Sequence, residues 1–142
     1  MPPRPAIIPC LVYRDAPAAI DFLCSAFGFA RHAVYEGEDG QSIDHAELTI
    51  EGNMMMLSSH SRRSEDRLGM VPPSHTGGKV TACIYVVLAD PDAHHDRAAA
   101  AGAEIVTAPR DQDFGRTYEA RDCEGNVWSF GSYDPFELFA EA

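Results

Sequence analysis

Lysine is almost missing from this chain. Lys79 stands alone beside ten arginines and 22 acidic residues, for a net charge of −11 over 142 residues. Nucleic acids and anionic membranes are recognised through a basic surface, so this balance argues against both as partners. It leaves room for a cationic ligand, although net charge also serves solubility without any ligand. No apolar run approaches the ~20 residues a membrane-crossing helix needs. The start, Met1-Pro2-Pro3-Arg4-Pro5, lacks the apolar segment of a secretory signal, so the cytoplasm is the expected location. The four cysteines (Cys10, Cys24, Cys83, Cys123) show no C-x-x-C spacing. They are expected as reduced thiols, three buried as small apolar residues and Cys123 exposed in a polar turn. No G-x-G-x-x-G, Walker loop or Ser/His/Asp order appears, and no cofactor is expected.

What is present is a repeat. Gly52-Asn53-Met54-Met55-Met56-Leu57 parallels Gly125-Asn126-Val127-Trp128-Ser129-Phe130, while Pro17 recurs as Pro91 and Gly28 as Gly102. With 45% apolar and 23% charged residues, the chain has the make-up of one ordinary globular domain. It reads as one unit used twice: module one over 5–59, a linker over 60–79, module two over 80–133 and a tail over 134–142.

Within module one, 6–13 is a short apolar strand. Asp15 caps a helix with Pro17 in its first turn, and the helix stops at Gly28. Strands are expected over 29–36, 42–50 and 54–58, with turns at Glu38-Asp39-Gly40 and Gly52-Asn53. Module two repeats the order: a strand over 80–88, a helix from Asp90-Pro91 to Gly102, then strands over 104–107, 117–121 and 126–133. The linker, with four of the eleven basic residues, is expected to be a loop or flap. The fold class is therefore α+β, two βαβββ modules packed edge to edge around a cleft.

Alternation assigns the faces. Ala46, Leu48 and Ile50, with Trp128 and Phe130, should lie beneath the helices. The opposite faces should look across the seam and line a pocket. From module one they carry Cys10, His45, Glu47, Met54 and Met56. From module two they carry Cys83, Tyr85, Glu119, Arg121 and Ser129. These ten are the candidate ligand-binding residues. His45 and Glu47 can act as a base and its orienting carboxylate, or simply set the polarity of a cleft. Glu119 and Arg121 are expected to pair with each other. Tyr85 offers a stacking surface, and the methionines suit an adaptable pocket. His94-His95 cannot share a helix face and reads as solvated surface.

Several stretches carry a resemblance. They are Ile7-Ile8-Pro9, Tyr13-Arg14-Asp15, Ala26-Phe27-Gly28-Phe29, His45-Ala46-Glu47-Leu48 and, above all, Arg121-Asp122-Cys123-Glu124-Gly125-Asn126-Val127-Trp128-Ser129-Phe130. Together they resemble the vicinal-oxygen-chelate superfamily of glyoxalase I, bleomycin-resistance proteins and extradiol dioxygenases. Enzymes of that superfamily hold a divalent metal at four positions, which correspond here to Ile8, Met56, Cys83 and Ser129. None is a His, Glu or Gln, so no metal is expected. The resemblance implies metal-independent binding or sequestration of a small organic molecule. The alternative is a lyase, isomerase or dioxygenase acting on a small carbonyl or thioester substrate. Members of the superfamily commonly pair, and with the apolar tail Pro135-Phe136-Glu137-Leu138-Phe139 this leads us to expect a homodimer.

Overall fold

The two halves fold alike for the same local reasons. The computed structural model describes residues 1–62 and 67–137. Strand β1 (Cys10–Tyr13) leads into helix α1 (Ala16–Phe27), followed by β2 (Ala30–Glu36), β3 (Ile43–Ile50) and β4 (Asn53–Ser59). Asp15 accepts the Ala18 N–H and so caps α1, and Gly28 ends it at φ 84°, a left-handed conformation that costs glycine little. The second half repeats this with β5 (Cys83–Val87), α2 (Pro91–Ala100), β6 (Glu104–Gln112), β7 (Gly115–Arg121) and β8 (Val127–Gly131). Asp90 caps α2 in the same way, through the Ala93 N–H. Each half forms a four-stranded sheet, ordered β1-β4-β3-β2 and β5-β8-β7-β6. In both, the first pair is parallel and the others antiparallel. This is the expected α+β fold of two βαβββ units.

Element ends differ from expectation for backbone reasons. Strand β1 begins at Cys10 rather than residue 6, because Pro5 and Pro9 have no N–H to give. Only the Pro9 carbonyl extends the ladder, accepting the Met56 N–H at 2.9 Å. Strand β6 runs on to Gln112 through Pro109, which an edge strand tolerates at a register shift. The linker holds two short 3-10 turns, His60–Arg62 and Pro73–His75. Its Pro72 and Pro73 are buried, so part of it is anchored to the fold.

The helix-side faces of the two sheets share one core. Ala46, Leu48, Met55 and Leu57 from the first sheet join Tyr118, Ala120, Trp128 and Phe130 from the second, with α1 between them. Phe27 of α1 packs its ring 4.9 Å from Phe130 and 5.6 Å from Trp128. Helix α2 docks on the end of α1, where Arg97 donates to the carbonyls of Cys24 and Ser25. With both helix faces turned inward, the other face of each sheet is turned outward.

His94 is not solvated surface. It is half-buried between Phe27, Tyr118 and Phe130. Its Nε2–H donates to the Phe27 carbonyl at 2.8 Å, which leaves Nδ1 to accept the Tyr118 hydroxyl. Burial holds its pKa below the ordinary histidine value, and nearby Arg97 adds to that. A lowered folded pKa means the unfolded chain takes up the proton first. The contribution of His94 is therefore complete above the unfolded pKa and is lost as pH falls through the folded one. Melting temperature should drop on acidification below about pH 6.5, and His94→Gln should flatten that part of the profile.

Candidate functional site

The register of each sheet sets the outward faces as rows of neighbouring side chains. On the first sheet, Cys10 pairs with Met56, Met56 with Glu47, and Glu47 with Ala33. On the second, Tyr85 pairs with Ser129, Ser129 with Glu119, and Glu119 with Thr107. The two rows are equivalent by the repeat. Glu47 and Glu119 therefore occupy the same place on two different faces.

The first face has a compact polar group. His45 Nε2 lies 2.9 Å from Glu47 Oε2, and His32 Nε2 lies 3.9 Å from Glu47 Oε1. Tyr35, paired with His45 across the strands, stacks near its ring with centroids 6.1 Å apart. Met54 and Met56 are half-buried beside them. The carboxylate thus bonds one imidazole and stands 3.9 Å from a second, and a base with an orienting carboxylate is sterically available.

On the second face, Tyr85 is 37% exposed. Its hydroxyl donates to the Tyr133 carbonyl at 2.6 Å. Gly131 makes room for it: a Cβ there would sit 2.8 Å from that hydroxyl and 2.6 Å from Thr117 Cγ2. The expected Glu119–Arg121 pair does not form. Arg121 faces Glu104 directly across the ladder and bonds it at 3.2 Å, because a cross-strand neighbour is closer than a residue two along the same strand. Glu119 instead has Arg110 at 3.7 Å from Oε1, while its Oε2 is buried with no hydrogen-bond partner among the described residues.

The cysteines also depart from expectation. All four are free, but Cys10 and Cys83 are exposed and Cys24 is only half-buried. Cys10 and Cys83 sit on the outward faces, so the core never reaches them. Cys123 is exposed as expected, yet it is not activated. Although the residue is exposed, its thiol is partly withdrawn from water, and this, with Asp122 and Glu124 alongside, pushes its pKa up to about 12.

Among the described residues, no hydrogen bond, ion pair or ring contact joins the two outward faces within the chain. Between the modules there is a cleft of about 910 Å³, bounded by the segment before β1, the start of β4, and β5. It brings together Met54 and Tyr85 of the candidates, over Phe29 and Trp128. The other eight candidates lie away from it. Sequence reasoning missed His32, Tyr35, Arg110 and Thr107, which come from β2 and β6. Their only signal was the pairing partner, which needs the register.

A metal does not fit this donor set. Ile8, Met56, Cys83 and Ser129 supply no imidazole or carboxylate, and no group of three or more His, Cys, Asp or Glu among the described residues could hold an ion.

Comparison with known proteins gives a consistent result. The family model described as Glyoxalase/Bleomycin resistance protein/Dioxygenase superfamily matches residues 7–130. An uncharacterised protein of Mycobacterium bovis is 40% identical over 129 residues, covering 90% of this chain and 83% of its own length. The structure of TioX from Micromonospora sp. ML1 is similar at a TM-score of 0.73 and 30% identity, over 92% of this chain and 100% of that one. The structure of a fosfomycin resistance protein, FosX, from Listeria monocytogenes, complexed with Mn(II), shares the fold at a TM-score of 0.63. It is 13% identical over 93% of this chain and 94% of its own.

Proposed function

From the premise that the chain belongs to the glyoxalase/bleomycin resistance protein/dioxygenase superfamily, we propose that it binds a small organic molecule without a metal. The binding surface is the pair of outward sheet faces. A second copy of the chain brings the first face of one copy against the second face of the other. The observation that carries this is the placement of the polar candidates. Ten side chains of mixed polarity stand on two faces turned away from the core, exposed Tyr85 among them, with Ile8 and Val87 exposed beside them. Apolar surface of that kind on a small monomer marks a binding surface. Phe136 adds to it at 80% exposure; Leu138 and Phe139 of the same tail lie outside the described residues. A reducing cytoplasm suits four unpaired cysteines, and no helix among the described residues is long and apolar enough to cross a membrane.

A second reading rests on the 2.9 Å contact between His45 and Glu47. In it, the same paired faces bind the ligand and His45 abstracts a proton beside its carbonyl or thioester.

Light scattering at micromolar concentration should show a dimer, and a monomer there would overturn the shared cleft. A thermal-shift screen of small aromatic molecules should yield ligands whose affinity falls severalfold to tens of fold in Tyr85→Ala, since the lost stacking is worth ~0.5–2 kcal/mol. Turnover of such a ligand, abolished by His45→Ala, would favour the second reading.

A further inference from the structure

Glu119 holds the one carboxylate oxygen on the outward faces that is closed to solvent and bonded to nothing among the described residues. Its equivalent in the first module is satisfied: Glu47 faces His45 and His32. The nearest cation to Glu119 is Arg110, and that guanidinium is engaged elsewhere. With the Gln112 amide turned to present its oxygen, Arg110 donates to it from Nε at 2.6 Å and Nη2 at 3.1 Å. A carboxylate oxygen removed from water and left without a donor is destabilising. The Glu119 side chain as a whole is 26% exposed, so the carboxylate can turn its buried oxygen outward to meet a ligand N–H that carries positive charge, and charge-assisted bonds of this kind are the strong ones.

The rest of the row shows what else such a ligand would carry. Ser129 stands between Glu119 and Tyr85, one strand from each. Adjacent strands are about 4.8 Å apart, so the tyrosine backbone lies roughly 10 Å from that of Glu119. The Tyr85 ring is fixed, tied to the Tyr133 carbonyl and laid over Gly131. A rigid aromatic surface and an unsatisfied anion thus lie on one line.

We propose that Glu119 anchors a nitrogen cation, an amidinium, guanidinium or ammonium group, on an aromatic ligand whose ring stacks on Tyr85. The proposal rests on the small-molecule reading above and narrows it to organic cations. The acidity of the whole chain favours the same sign of ligand.

The test is a matched set of equal shape: biphenyl-4-carboxamidine, the neutral biphenyl-4-carboxamide and the anionic biphenyl-4-carboxylate, titrated calorimetrically into the intact protein. The amidine should bind at least tenfold more tightly than the amide, and the carboxylate most weakly. Glu119→Gln should remove the amidine preference while leaving amide affinity within about twofold, and Tyr85→Ala should weaken all three. The melting temperature of Glu119→Gln should be unchanged or higher, because an uncompensated anion is removed. Equal binding of amidine and amide, or a preference that survives Glu119→Gln, overturns the proposal and leaves the binding reading standing. A lowered melting temperature together with no amidine preference also overturns it, because a residue of the second copy then satisfies Glu119. If none of the three binds a verified dimer, the cation inference fails.

Discussion

Trp128→Ala should cost the fold ~3–5 kcal/mol, the usual penalty for truncating a fully buried large aromatic. For a chain of this size that lowers the melting temperature by about 10–20 °C. Trp128 is 1% exposed. Its ring lies 5.6 Å from Phe27 of α1 and 5.6 Å from Phe29, and it stacks nearly parallel to Phe130. Those neighbours come from both modules, so the cavity left by alanine opens at their shared core. The indole N–H also donates to Asp122 at 3.1 Å, and that bond is lost with the ring. Circular dichroism is the right readout, because this is the only tryptophan and its removal abolishes intrinsic indole fluorescence. A variant that melted within a few degrees of the parent would put Trp128 on the outward face and reverse the register of β8.

That register was legible in the sequence, and the reason is local. Alternation along 42–50 and 126–130 separates Ala46, Leu48, Trp128 and Phe130 from Glu47 and Ser129 without knowledge of any partner strand. Helix limits were equally local, set by Asp15 with Pro17 and by Asp90 with Pro91. The direction in which each face looks was not local. It depends on whether the helices of the two modules pack outward or against each other, and α1 meets α2 through Arg97 and His94 across some 70 residues of chain. The same limit explains the misplaced residues. His94 reads as surface because its acceptor and donor, the Phe27 carbonyl and the Tyr118 hydroxyl, lie on other elements. Arg121 prefers Glu104 for a reason visible only once β6 is paired with β7. Cys10 and Cys83 looked like core because cysteine usually is core, but burial is decided by the face and not by the residue type.

Asp122 is the residue whose weight the sequence hid most completely, and replacing it should be nearly as damaging as removing Trp128. In a turn of the form Asp-x-x-Gly an aspartate reads as a turn former, and it does fill that role by accepting the backbone N–H groups of Glu124 and Asn126 at 3.0 Å each. It is also buried. Its carboxylate takes the Tyr13 hydroxyl at 2.6 Å from the other module, the Trp128 indole N–H, and the Asn126 amide at 3.2 Å. Tyr13 is itself buried, and burial together with the adjacent carboxylate raises its pKa, so it remains a donor at any ordinary pH. Next to this, Glu124 accepts the backbone N–H groups of Arg14 and Asp15. The turn before β8 therefore ties the end of β1 and the start of α1 to the second sheet. Hydrogen bonds to a charged acceptor are worth ~1.5–3 kcal/mol each, and a buried donor left unpaired costs ~1–3 kcal/mol. These contributions are coupled and do not simply add. Asp122→Ala should therefore lose about 4 kcal/mol, Tyr13→Phe only about 2 kcal/mol. Asp122→Asn should fall between them, because an amide keeps one acceptor oxygen but turns its NH₂ toward donors. Thermal melts of the three variants should follow that order. If Asp122→Ala were no worse than Tyr13→Phe, the carboxylate would be acting only within its own turn, and the modules would be joined without it, by the shared aromatic core and the bonds of Glu124, His94 and Arg97.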